Sequence, residues 1–231
     1  MRYVLTGILS IGLLFTNCFA GEKPELKDQR DKESYSLGYQ FGQGLKAQGL
    51  DLNLEVYTSG IRDALGGKTP SLSREEMQKT LSDFQQRITA ARQRELQEMS
   101  AKNLAAGKAF LEENKKKEGI KTLPTGLQYK VLTEGSGKTP KVTDTVTVHY
   151  RGTLINGTEF DSSYKRGQPA TIQVKAAIRG WTEALQLMKE GSKWQLFVPP
   201  ELAYGDRVAG PQVSPNSALI FEVELISIKD N

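Results

Sequence analysis

Val148-His149-Tyr150-Arg151-Gly152 runs through Thr153-Leu154-Ile155-Asn156 into Gly157-Thr158-Glu159-Phe160-Asp161-Ser162-Ser163. Residues 145–150 alternate in polarity, and Asn156-Gly157 is a tight-hairpin signal between Leu154-Ile155 and residues 158–160. Side chains two apart on a strand share a face. Val146, Val148 and Tyr150 therefore line one face, and His149 points to the other. Outward from this hairpin, residues 127–132, 193–198 and 218–228 alternate in the same way, with Leu219, Phe221 and Val223 on one face. Residues 181–188 read as one short helix ending near Gly191. The C-terminal half is predicted to be an antiparallel sheet with one helix, an α+β domain of about 110 residues.

The period differs upstream. Between residues 31 and 67, Tyr35, Gly38, Phe41, Gly42 and Leu45 recur three and four apart, as do Val56 or Tyr57, Ile61, Ala64 and Leu65. Two amphipathic helices separated by Gly49-Leu50-Asp51 follow from that spacing. Neither is long enough to be stable alone, so its apolar face needs a cover. Gly38, Gly42 and Gly44 permit close helix contact, within one subdomain or between two chains. Ser73 and Glu76 form a capping box behind Pro70, and no proline follows until Pro124. A single long helix over residues 73–116 is expected, with Gly107 as a hinge. Met77, Leu81, Phe84, Ile88 and Ala91 make a regular seam that thins to Leu96, Met99, Leu104, Phe110 and Leu111. That pattern predicts a spacer crossing solvent between domains, stopped at Gly119.

At the other end of the chain, Arg2 precedes an apolar run over residues 4–15 and then small residues before Glu22-Lys23. The run is too short to span a membrane and reads as an export signal over residues 1–20, cleaved after Ala20 or Gly21. The alternative, a lipid anchor on Cys18, would want a small residue just before it, where Asn17 stands. Cys18 is the sole cysteine, so cleavage leaves no thiol for disulfide, catalysis or metal. The 31 basic and 27 acidic side chains are interspersed, which reads as a solubilising surface and not as a nucleic-acid patch.

The same counts and the strand parity argue against catalysis by a nucleophile with a histidine base, since His149 is the single histidine and faces away from Tyr150. No metal-ligand spacing is present, and no cofactor is called for. The chain does have aromatics in widely separated places, and these suit an apolar cup.

The stretches quoted above, with Ile178-Arg179-Gly180-Trp181, Ala203-Tyr204-Gly205 within residues 199–205, and Leu219-Ile220-Phe221, resemble the FKBP family of peptidyl-prolyl cis/trans isomerases. The resemblance covers roughly residues 121–231. It implies that Tyr150, Phe160, Trp181 and Phe221 form the pocket walls, with the indole at the floor. It implies that Asp161 is a pocket aspartate positioned by Tyr150 and Arg166. By the same resemblance the Ile178 backbone N–H and the Tyr204 hydroxyl bind carbonyls of substrate or inhibitor, Ala177 lies beside Ile178, and Val213 forms an apolar lip. Ala170 stands where the family commonly has an aromatic, and Ala177 where a larger aliphatic is usual, which implies a more open pocket.

Residues 31–38, the helix after Leu72-Ser73 and residues 126–131 are similar to the macrophage infectivity potentiator (Mip) group of exported bacterial FKBPs. That group implies four parts: a signal peptide (1–20), a helical dimerisation domain (21–72), a long connecting helix (73–118) and an isomerase domain (119–231). It implies a homodimer through the N-terminal helices, proline-containing unfolded or exported polypeptides as partners, and inhibition by macrolides of the rapamycin type. The location implied is the periplasm, with outer-membrane association or surface exposure as finer alternatives. The rival reading is a non-enzymatic chaperone or adhesion module that binds apolar segments.

Overall fold

The computed structural model describes residues 24–229; the export-signal and Cys18 readings lie outside them. The chain divides into one unit ending at Ser73 and another starting at Arg74.

In the first unit, α1 (Gln29–Ala47) begins where the Asp28 carboxylate accepts the Asp31 N–H at 2.8 Å. Helix α2 (Leu54–Leu65) begins where Asn53 Oδ1 accepts the Glu55 and Val56 N–H groups. Such caps satisfy donors that the first turn of a helix leaves open. Gly49, at φ +64°, turns the chain after α1. The Phe41 and Tyr57 rings stack across the two helices at 6.3 Å. Neither helix buries a single side chain.

The second unit starts with α3 (Arg74–Asn114), 41 residues long and so about 60 Å from end to end. Gly107 does not act as a hinge, because the helix runs through it unbroken. It is buried, and a Cβ there would lie 3.0 Å from the Ala218 Cβ. Its missing side chain lets the helix lie against the chain just before the last strand. The spacer reading also fails for the final turns, which pack on the sheet. Phe110 meets Phe197 at 6.0 Å, and buried Asn114 donates to Gln128 Oε1 at 3.0 Å while Gln128 Nε2 donates to the Leu111 carbonyl at 2.9 Å. The thin stripe of Leu104, Phe110 and Leu111 is thus partly a docking face.

Beyond Gly119, at φ +79°, come β1 (Ile120–Thr122), β2 (Gln128–Thr133), β3 (Thr145–Leu154), β4 (Glu159–Ser162), β5 (Ala170–Gln173), α4 (Arg179–Leu185), β6 (Lys193–Val198) and β7 (Leu219–Lys229). The strands form one antiparallel sheet in the order β1-β2-β6-β7-β3-β4, with β5 also paired to β3. Together with the helices this is the α+β architecture expected. Strands β1 and β5, of three and four residues, are too short to show a period. The turn at Asn156-Gly157 has a three-residue form: the Gly157 N–H donates to the Leu154 carbonyl, and Gly157 alone takes positive φ, +86°.

Strand β3 is buried at every second residue, at Val146, Val148, Tyr150 and Gly152. Strand β7 matches it with Leu219, Phe221, Val223 and Leu225. Helix α4 covers this face with Trp181, Ala184 and Leu185, and Met188 follows in the same core. Every one of these side chains is at most 9% exposed, so the sheet and its helix close a core within a single chain.

Candidate active site

The register of β3 against β7 sets Gly152 opposite Phe221 and Tyr150 opposite Val223. Alternate residues share a face, so Tyr150 and Phe221 stand near each other above α4. A Cβ on Gly152 would lie 2.7 Å from the Phe160 ring and 2.9 Å from the Phe221 ring. The glycine is what admits both rings. Trp181 rises from the first turn of α4 and meets Tyr150 edge-on at 5.2 Å and 86°, and Phe221 at 5.3 Å and 82°. Phe160 meets Phe221 at 5.6 Å and 86°. Edge-to-face pairs of this kind fix ring orientation beyond what area burial does.

These four rings enclose a cup of about 300 Å³, completed by Asp161, Ile172, Ala176, Ala177, Ile178 and Tyr204. Nine of the ten residues expected at the site are therefore brought together or in direct contact with that lining. Arg166 is the ninth, fastened to Asp161 and Tyr150. Val213 is the exception: it is 2% exposed, bridged to Ala209, and packed in the core beneath its loop, so it does not form an open lip. Sequence reading missed Ile172 and Ala176. Ile172 shares a face of β5 with Ala170, and it provides apolar wall on the side where the family's aromatic is absent. The alternation of Ala170 and Ile172 was the available signal, hidden because β5 has four residues.

At the rim, the Tyr150 hydroxyl donates to Asp161 Oδ2 at 2.5 Å, and the Arg166 guanidinium bonds to Asp161 Oδ1 and reaches the Tyr150 oxygen at 2.7 Å. Burial favours a protonated Asp161, but the bonds from Tyr150 and Arg166 outweigh it and hold the carboxyl below its ordinary value. The Tyr150 phenol is pushed up by burial and by its bond to Asp161, against the opposing effect of Arg166. Burial and the Asp161 charge push Tyr204 up as well. Both phenols stay protonated, and therefore able to donate, at neutral pH. Among the described residues, the Ile178 N–H and the Tyr204 hydroxyl donate to no protein acceptor. His149 lies on the opposite face, stacked on Tyr164 at 4.5 Å with Nδ1 2.9 Å from Ser163 Oγ. That hydroxyl also accepts the Tyr150 N–H, so His149 supports the strand from behind.

An apolar cup with donors and one fixed carboxylate at its rim defines a protein that works by holding a bound group in a chosen geometry. The chain belongs to the FKBP-type peptidyl-prolyl cis-trans isomerase family. The model of that isomerase matches residues 136–226, and a model described as the domain amino terminal to it matches residues 30–131. The chain is 46% identical over 229 residues to the outer membrane protein MIP of Legionella longbeachae, covering 99% of this chain and 98% of that one. It is 44% identical over 229 residues to the peptidyl-prolyl cis-trans isomerase Mip of Coxiella burnetii, covering 99% of each. The crystal structure of FkpA from Escherichia coli superposes with a TM-score of 0.68 at 41% identity, covering 89% of this chain and 99% of that one. The protein is a peptidyl-prolyl cis/trans isomerase, and the non-enzymatic chaperone reading is not favoured.

Proposed function

We propose that the Xaa-Pro proline ring enters the cup between Tyr150, Phe160 and Phe221 and rests on Trp181. The observation that carries this reading is the pairing of four fixed rings with two donors, at Ile178 and Tyr204, left open at the rim. The planar amide is the more dipolar form, so leaving water costs it more than the twisted form. The Ile178 N–H and the Tyr204 hydroxyl hold carbonyls on either side of the rotating bond. Asp161, locked by Tyr150 and Arg166, keeps the rim polar and the Tyr150 ring in place. Each tenfold in rate asks for about 1.4 kcal/mol, within reach of desolvation plus two hydrogen bonds.

Substrates in this reading are proline-containing exported polypeptides. Residues 1–20 direct export to the periplasm, with association to the outer membrane as the finer alternative; among the described residues no helix is long and apolar enough to cross a membrane. A homodimer forms through α1 and α2, whose Leu37, Phe41, Val56 and Leu65 stay largely exposed among the described residues. Residues 21–72, 73–118 and 119–231 serve as dimerisation, connecting and isomerase parts. Macrolides of the rapamycin type fill the same cup as proline.

The test is the cis-to-trans rate of a short Ala-Leu-Pro-Phe peptide with protein spanning residues 21–231, with and without rapamycin, beside Asp161→Ala. Acceleration that rapamycin abolishes and the substitution reduces is expected. Acceleration untouched by both would place the chemistry elsewhere.

A further inference from the structure

The loop that leaves Tyr204 is closed upon itself and fastened to α3. The Asn216 N–H donates to the Gly205 carbonyl at 2.7 Å, which joins the far end of the loop to the residue after Tyr204. Asn216 has φ 55°, the one non-glycine residue with positive φ among those described. A left-handed residue other than glycine is uncommon and persists where its surroundings fix it. The fixing comes from the helix. Asn216 Nδ2 donates to Ser100 Oγ at 2.8 Å. Asn103 Nδ2 donates to the Pro215 carbonyl at 2.9 Å and reaches Ser217 Oγ at 3.3 Å, and that hydroxyl donates to the Ser214 carbonyl at 2.7 Å. Gly107 then lies against Ala218. Ser100, Asn103 and Gly107 are spaced three and four apart, so one helix face meets four consecutive residues, 215–218.

We propose that Ser100, Asn103 and Gly107 form a clasp that positions Tyr204, so that the end of the long helix supports the isomerase site. This rests on the isomerase reading of the cup. The clasp residues touch no substrate. They act by holding the loop whose first residue carries the free hydroxyl, and whose last leads directly into β7 and Phe221. Two of the three contacts are hydrogen bonds between parts of the chain more than 110 residues apart, so the loop has its intended shape only while α3 is docked.

The experiment measures kcat/KM on the tetrapeptide and amide exchange at Asn216 for wild-type residues 21–231, Asn103→Ala, Tyr204→Phe, the double variant, and Lys102→Ala as an exposed control on the same helix. Loss of one such hydrogen bond corresponds to about a fivefold fall in kcat/KM for Asn103→Ala, with faster Asn216 exchange and Lys102→Ala unchanged. In the Tyr204→Phe background the further fall shrinks to less than about twofold, because the group being positioned is gone. A merely structural role would lower activity equally in both backgrounds, and that result overturns the proposal. So does an active wild type beside an equally active Asn103→Ala. A wild type with no acceleration removes the isomerase reading, and the catalytic role of the clasp falls with it. In that case Asn216 exchange still reports whether α3 holds the loop. Should Asn103→Ala not fold, Ser100→Ala removes a single acceptor and carries the same comparison.

Discussion

Helices α1 and α2 follow the opposite burial rule from the sheet that carries Tyr150. The helices bury no side chain and leave Leu37, Phe41, Val56 and Leu65 between 58% and 87% exposed. The sheet and α4 take Val146, Val148, Leu185, Leu196 and Val223 entirely out of water. Burial is worth roughly 25 cal/mol per Å² of apolar surface, so the sheet unit contains the source of its own stability and the helical unit does not. The proposed division of tasks, chemistry in the sheet unit and association in the helical unit, follows this difference in burial.

Matched truncations should separate the two most sharply. Leu196→Ala removes a fully buried side chain and is expected to cost about 2–5 kcal/mol, read from denaturant unfolding and independent of protein concentration. Leu65→Ala, at an 87% exposed position, should act only through association, so its effect should grow on dilution. A concentration-independent loss at Leu65 would mean that the helical unit is stable alone, and would break the comparison.

Phe41→Asp places a charge on the exposed helical face. Sedimentation should then report monomers and circular dichroism a loss of helix, while kcat/KM on the tetrapeptide stays within about twofold, since the cup is complete in one chain. An equal fall in peptide activity would show that the helical unit contributes to the site.

The pH profile sharpens the picture of the rim. Asp161 has a depressed folded pKa, so whatever its ionised form contributes is present above the unfolded value near about 3.9 and is lost as pH falls through the lower folded value. Tyr150 and Tyr204 are both raised and keep their protons well into alkaline solution. The kcat/KM should be flat from about pH 5 to pH 9 and fall only in acid below about pH 4. A bell centred near neutral pH would point to a titrating group outside the rim.

The smallest effect is expected at Lys79, whose ammonium bonds to Asp83 at 2.7 Å in full exposure on α3. Exposed pairs contribute little, so Lys79→Ala should leave the thermal midpoint within about a degree. A large shift would show that this part of the helix is covered in the assembled protein.

Much of this was legible because it depends on neighbours in sequence. Alternation gave β3, β6 and β7, three-and-four spacing gave α1 to α3, and the same parity put Tyr150 on the cup face and His149 behind it. The motifs carried by resemblance named nine of the residues that gather around the cup or fasten its rim. What escaped were short or non-local features. Strands β1 and β5, of three and four residues, hold too few turns of the pattern to register, so Ile172 went unnoticed.

The sequence by itself therefore determined the class of the longer segments, because periodicity is local, and its family motifs pointed to Tyr150, Phe160, Trp181 and Phe221 as the aromatic walls. Tertiary structure alone decided that Val213 packs in the core beneath its loop, that Gly107 is a contact with Ala218 and no hinge, and that Asn103 and Ser100 grip the loop after Tyr204. The Gly107, Asn103 and Ser100 contacts join residues more than a hundred positions apart along the chain, and all of these outcomes depend on how the whole unit closes, which leaves no trace in local spacing.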